Sequence, residues 1–233
     1  MLTELEHILY SISKADLITL VNASLGFLAV IFLINNNFDF AAILIILASI
    51  ADGVDGAVSR RSAMGPLGKN LDSLSDAISF GMVPAVASYL LLEPVVGIVA
   101  SVFSILFLSC GLLRLARFNI SASDNFHGVP ITAAGLIVML FLVQRGETEL
   151  FPYLLMILLT ILSLLMVSRF TYPKIKDVRV AGILVMMMAS TMVVYTVRKD
   201  ALQLFANVLL VMMLSYILAP TIGFPREKNP QEA

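Results

Sequence analysis

The sequence predicts an all-α polytopic membrane protein with about eight transmembrane helices. Three observations predict it. Of the 233 residues, 59% are hydrophobic and 13% charged, where a soluble domain carries about 25% charged residues. Apolar runs recur along the chain at or near the ~20 residues needed to cross a bilayer. The basic residues between those runs fall mainly in alternate loops, and so on one side.

The candidate spans are 17–34, 38–58, 70–92, 94–118, 130–144, 150–169, 178–197 and 201–219, the fifth being short. The stretch before the first, "MLTELEHILYSISK", contains Glu4 and Glu6 rather than a basic flank and a small-residue cleavage site. The first span is therefore expected to be retained, with residues 1–15 as a short interfacial segment. No linker or repeat marks a second domain. Residues 1–220 read as a single transmembrane domain, and 221–233, rich in Pro and charge, as a C-terminal tail. Tyr153 and Tyr172 bracket the sixth span as interfacial anchors. Cys110, the only cysteine, lies in an apolar run, so neither a disulfide framework nor a cysteine-based metal site is available.

If the spans alternate, three of the 15 Lys and Arg (Arg145, Arg198 and Lys199) fall on one side and the other twelve on the opposite side. The positive-inside rule places the richer side in the cytoplasm. Both termini then face the cytoplasm.

Against this apolar background stands "DGVDGAVSR", residues 52 to 60. Asp52 and Asp55 are three apart and share a helix face; Asp72 and Asp76, four apart, share another. Both pairs fall at the cytoplasmic ends of adjacent antiparallel spans, which gathers four carboxylates near membrane depth. A charged Asp at mid-bilayer costs on the order of 2.5–3.5 kcal/mol, and several together call for a cation. Oxygen ligands without His or Cys suit a hard ion, Mg²⁺ or Mn²⁺. Four carboxylates can hold two such ions about 3.5–4 Å apart, the spacing of two-metal phosphoryl transfer.

Gly53 and Gly56 also share a face. Glycine inside a helix costs ~1 kcal/mol relative to alanine, which marks a close approach: tight helix packing, or a flat ligand such as a nucleotide against bare backbone. Both readings stand. Arg60, five residues after Asp55, is within reach of a phosphate bound at the metals, and its planar fork suits phosphate oxygens.

These residues resemble the signature of the CDP-alcohol phosphatidyltransferases, D-x2-D-G-x2-A-R-x8-G-x3-D-x3-D, with Gly68 as the later glycine. Ser59 stands where the family has Ala, and seven residues rather than eight separate Arg60 from Gly68. "LDSLSDAISFGMVPA" and "RLARFNISASDNFHGVP" resemble segments of the membrane-embedded phosphatidylserine synthases within that family. The resemblance implies a six-helix core, here with two added helices. It implies metal ligation by Asp52, Asp55, Asp72 and Asp76, with Asp76 also the general base. It implies that Gly53, Gly56, Arg60 and Gly68 line the CDP-lipid. Asn22 in the first span lies where the family often contacts the nucleotide; an interhelical hydrogen bond explains an asparagine there equally well.

The reaction so implied moves a phosphatidyl or archaetidyl group from CDP-diacylglycerol or CDP-archaeol to L-serine, releasing CMP. Arg114, Arg117 and Asn119 are the candidate serine-binding residues, the two arginines sharing a helix face at the cytoplasmic end of the fourth span. Ordinary positive-inside charge also accounts for those arginines. Expected partners are the CDP-lipid, L-serine, membrane lipids and a second copy of the chain, with no nucleic acid. Within the family the rival acceptors are glycerol phosphate and an inositol phosphate. Outside it the rival is a cation transporter, which would need polar groups through the bilayer rather than gathered at one end.

Overall fold

The computed structural model describes residues 12–59, 67–120, 126–146, 148–172 and 199–218. Among these, helices α1 (Lys14–Ile34), α2 (Phe38–Ser59), α3 (Gly68–Val96) and α4 (Val99–Ile120) are long and apolar enough to cross a membrane. Two shorter apolar helices follow, α5 (Ile131–Val143) and α6 (Phe151–Val167), and then α7 (Lys199–Leu218). The only strands among the described residues form a ribbon of two short ones, β1 (Phe126–His127) and β2 (Thr171–Tyr172), paired antiparallel. The seventh candidate span, 178–197, lies outside the described residues, as do the C-terminal tail and most of the N-terminal segment. The chain is a multi-pass helical membrane protein.

Helix α1 shows how these sequences bury themselves in lipid. Thr19, Asn22, Gly26, Ala29 and Leu33 are buried, at steps of three and four. Leu17, Leu20, Phe27, Leu28 and Ile34 face outward. Small and polar residues form the seam because lipid already satisfies large apolar side chains, so close backbone approach and hydrogen bonds hold the helices together. The helix begins with a capping box: the Asp16 amide donates to Ser13 Oγ (3.2 Å) and the Ser13 amide to Asp16 Oδ2 (2.7 Å), which satisfies two otherwise orphaned donors.

Helix α5 has a different environment. Its 13 residues rise only about 20 Å, short of the ~30 Å hydrocarbon core. Nearly every one of its side chains is buried, from Ile131 through Val143. It is the central post of the bundle, packed by α2, α3, α6 and α7, and that is why it reads as a short, uninterrupted apolar run.

Helix α3 is not regular. Directly after Asp76 it widens into a π segment, Ala77–Met82, before resuming at Val83. This segment is clasped from two sides. A side chain on Gly26 of α1 would place its Cβ 2.5 Å from Ser79 Oγ, and one on Gly135 of α5 would place it 2.6 Å from the Phe80 carbonyl oxygen. The glycines let α1 and α5 close directly on the backbone below the carboxylates.

Gln144, at the end of α5 away from the carboxylates, donates to the Gln203 carbonyl near the start of α7 (3.4 Å). The ribbon strand β2 lies at the carboxylate end, next to the end of α6. The two described stretches flanking 173–198 therefore lie at opposite ends of the bundle. At that far end Arg145 pairs with Asp39 (2.6 Å) and lies over the Phe38 ring.

The Gly135 contact is testable. Gly135→Ala puts a methyl against backbone that cannot swing away, a strain of about 1–3 kcal/mol. The purified protein should lose at least about 3 °C of thermal midpoint, while Gly146→Ala, whose nearest neighbours would lie 3.8 Å away, should be unchanged. Equal midpoints for the two variants would contradict the packing described.

Candidate active site

The C-terminal end of α2 and the N-terminal part of α3 run side by side at one end of the bundle, and their carboxylates meet. Asp52, Asp72 and Asp76 each present an oxygen, and all three oxygens lie within 4.8 Å of one another. Asp76 is buried, and its Oδ1 has no hydrogen-bond partner among the described residues. Asp55 stands one helical turn further along α2, also buried, with its Oδ2 accepting a 2.6 Å hydrogen bond from Thr19 Oγ1. Of the four predicted ligands, three form the tight group and the fourth is held beside it by α1. All four lie within electrostatic range of one another.

This donor set fits a hard divalent cation. The atoms are all carboxylate oxygens, they converge, and a buried carboxylate oxygen without a partner is stable only with a counter-charge or ligand. Among the described residues, Arg114 is the cation that acts on this cluster. It is buried on α4, acts electrostatically on Asp52, Asp72 and Asp76, and lies over the Phe118 ring at 5.4 Å. One guanidinium does not balance four carboxylates.

The remaining predicted site residues separate. No described atom lies within 4 Å of where a Cβ on Gly53 would be, so packing among the described residues does not explain that glycine. Gly56 is half-buried beside Asp55, and Gly68 is buried at the start of α3. Arg60 lies outside the described residues. Asn22 is fully buried on α1, and neither its amide nitrogen nor its oxygen has a partner among the described residues. Its side chain thus makes no interhelical hydrogen bond there.

Arg117 and Asn119 take positions that their spacing did not suggest. Arg117 turns away from the carboxylates and caps α6, with Nη1 donating to the Val167 and Ser168 carbonyls and Nη2 to Met166, each at 3.2 Å. The last carbonyls of a helix have no partners within it and carry partial negative charge, and a planar guanidinium fork matches several at once. Gly128 joins the same knot with φ +79, its amide donating to the Phe170 carbonyl at 2.8 Å. A Cβ there would collide with the Met166 carbonyl and Arg117 Nη2. The arginine and the glycine of "RLARFN…HGVP" thus tie the loop before α5 to the end of α6. Asn119 exchanges hydrogen bonds with Ser73, and its carbonyl accepts from Lys69 Nζ at 2.7 Å, which fastens α4 to the start of α3. Arg114 and Arg117, expected to act together, have different partners among the described residues: Arg114 acts on the carboxylates and Arg117 donates to the last carbonyls of α6.

Residues that the sequence reading passed over are also here. Thr19, Ser75 and Ser79 are buried, the two serines donating to the Thr19 and Asn22 carbonyls at 2.8 and 2.9 Å. Asp16, buried at the start of α1, lies within electrostatic range of Asp55. Asp16 and Thr19 belong to the regular buried seam of the first span, and Ser75 and Ser79 face it from α3.

Comparison with known proteins agrees with this geometry. Residues 13–224 match the family model described as CDP-alcohol phosphatidyltransferase. The chain is 37% identical over 169 residues to the archaetidylserine synthase of Methanothermobacter thermautotrophicus, covering 70% of this chain and 71% of that one. It is 38% identical over 164 residues to the CDP-diacylglycerol–serine O-phosphatidyltransferase of Methanocaldococcus jannaschii, covering 70% and 75%. With the protein of the same description from Bacillus subtilis it shares 34% over 167 residues, covering 69% and 89%.

Proposed function

We propose, from the premise that the chain belongs to the CDP-alcohol phosphatidyltransferase family, that it transfers the lipid-bearing phosphoryl group of a CDP-lipid to L-serine. The serine hydroxyl oxygen bonds to the phosphorus that carries the lipid. The bond from that phosphorus to the bridging oxygen breaks, and CMP leaves with the electron pair. The product is a serine phospholipid. The observation that carries this reading is the convergence of Asp52, Asp72 and Asp76 with an unpartnered buried oxygen, supported by the similarity to proteins whose names specify serine transfer.

Each residue then has work to do. Asp52, Asp72 and Asp76, with Asp55 beside them, hold Mg²⁺ or Mn²⁺, two ions by the number of carboxylates. The ions supply neutralisation of charge on the pyrophosphate. Asp76 is the general base, receiving the hydroxyl proton of serine on a carboxylate oxygen. Asn22, Gly53, Gly56, Arg60 and Gly68 receive the CDP moiety; the orphaned amide of Asn22 and the open face of Gly53 support this. Arg114 faces the carboxylate of serine, because it is the buried cation beside the cluster. Arg117 and Asn119 support the site by fixing α4, α6 and α3, and leave the acceptor set. The carboxylate end faces the cytoplasm.

The decisive assay follows CMP release from purified protein with CDP-lipid and a panel of acceptors. L-serine should support release, and chelator should abolish it reversibly. Asp76→Asn should lower kcat at least ~10²-fold with CDP-lipid affinity less affected. Release with glycerol 3-phosphate or inositol phosphate but not with serine would overturn the acceptor; full activity in chelator would overturn the metal.

The two arginines should part company. Arg114→Ala should raise the KM for serine at least about tenfold, about 1.4 kcal/mol of binding, with little change in KM for CDP-lipid. Arg117→Ala should instead lower thermal stability and leave the KM for serine within about twofold. A matched rise in KM for both would return Arg117 to the acceptor site.

Orientation is read by labelling single cysteines in a Cys110→Ser background. A cysteine at Ser62 should react only from the cytoplasmic face and one at Asn36 only from outside, and the reverse pattern would refute the charge asymmetry.

A further inference from the structure

Helix α1 supplies none of the three clustered carboxylates, yet one of its residues touches both helices that do. Thr19 is 3% exposed. Its hydroxyl lies 2.6 Å from Asp55 Oδ2 and 3.1 Å from the Ala15 carbonyl oxygen. A hydroxyl has one proton to give, and a carboxylate makes the shorter and stronger bond, so the proton points to Asp55. The Thr19 carbonyl in turn accepts the Ser75 hydroxyl at 2.8 Å, one residue before Asp76. One turn along, Ser79 repeats the contact on the Asn22 carbonyl. Thr19 is therefore bonded to α2 through its side chain and to α3 through its backbone.

We propose that Thr19 is a positioning residue for the metal site. Its hydroxyl fixes one oxygen of Asp55, turning the other toward the cation shared with Asp52, Asp72 and Asp76. Without that bond Asp55 keeps only the backbone bond at Gly56, and each rotation that carries its other oxygen away lowers affinity for the ion. A purely local role is also available to a threonine in a membrane helix, bonding back to the carbonyl four residues earlier, and the two roles predict different results. The proposal rests on the carboxylates being a cation site.

The test is direct Mn²⁺ binding to the purified full-length protein without substrate, free ion being counted by electron paramagnetic resonance. Thr19→Val keeps the shape and removes the donor, and should weaken Mn²⁺ binding about tenfold or more, in the range for loss of groups that orient metal ligands. Thr19→Ser keeps the donor and should bind within about twofold of wild type. In turnover, Thr19→Val should need correspondingly more Mn²⁺ for half-maximal rate while the KM for serine holds. Should Thr19→Val not yield folded protein, Thr19→Ala carries the same expectation. Wild-type affinity in the donor-less variant overturns the proposal, and so does Thr19→Ser binding as weakly as Thr19→Val, which would make the methyl group the cause. Absence of saturable Mn²⁺ binding in the wild type would instead overturn the cation reading itself.

Discussion

Three carboxylates brought within 4.8 Å of one another at the end of an apolar helix bundle are the constraint around which the other features arrange themselves. Like charges so close repel strongly in a poorly solvated setting, so the fold must both force them together and leave room for what neutralises them. The forcing is visible as backbone contact. Glycines at 26 and 135 let α1 and α5 press on the helix that carries Asp72 and Asp76, and serines at 75 and 79 bond it to α1. In lipid, where no hydrophobic force drives helix against helix, such small residues and hydroxyls are what holds a strained arrangement.

The π segment from Ala77 to Met82 belongs to the same arrangement. An extra residue per turn rotates everything beyond it about the helix axis, and such bulges gather at functional sites. Here it lets the upper part of α3 face Asp72 and Asp76 toward α2 while the lower part presents Phe80 and Val83 to the buried core. The end of α4 completes the frame. It brings Arg114 into the cluster and commits Arg117 to the end of α6, so one helix both supplies the site with a cation and anchors the neighbouring loop.

Much of this was legible in the sequence. The spans followed from length and hydropathy, and helices α1 to α6 lie where the apolar runs placed them. The aspartate pairs were legible because helical spacing and burial cost leave few other uses for carboxylates in such a place. Other features were not. Arg117 and Arg114 look alike in sequence, and only the three-dimensional position of α6's last carbonyls tells them apart. Thr19 looks like an ordinary apolar-helix threonine until its neighbour across the bundle is known to be Asp55. The π segment contains Gly81 and lies just before Pro84, both poor residues for a helix interior, a mark that hydropathy and length pass over. The ribbon of Phe126–His127 with Thr171–Tyr172 joins residues too far apart in the chain for any spacing to reveal.

The central claim is that the convergence of α2 and α3 exists to hold divalent cations. Anomalous diffraction at the manganese edge, from crystals grown with Mn²⁺, tests it without reference to turnover. Anomalous density is expected with oxygens of Asp52, Asp72 and Asp76 at about 2.0–2.6 Å, the range for hard cations on oxygen ligands. Ordered side chains at these three aspartates with no anomalous density among them would contradict it.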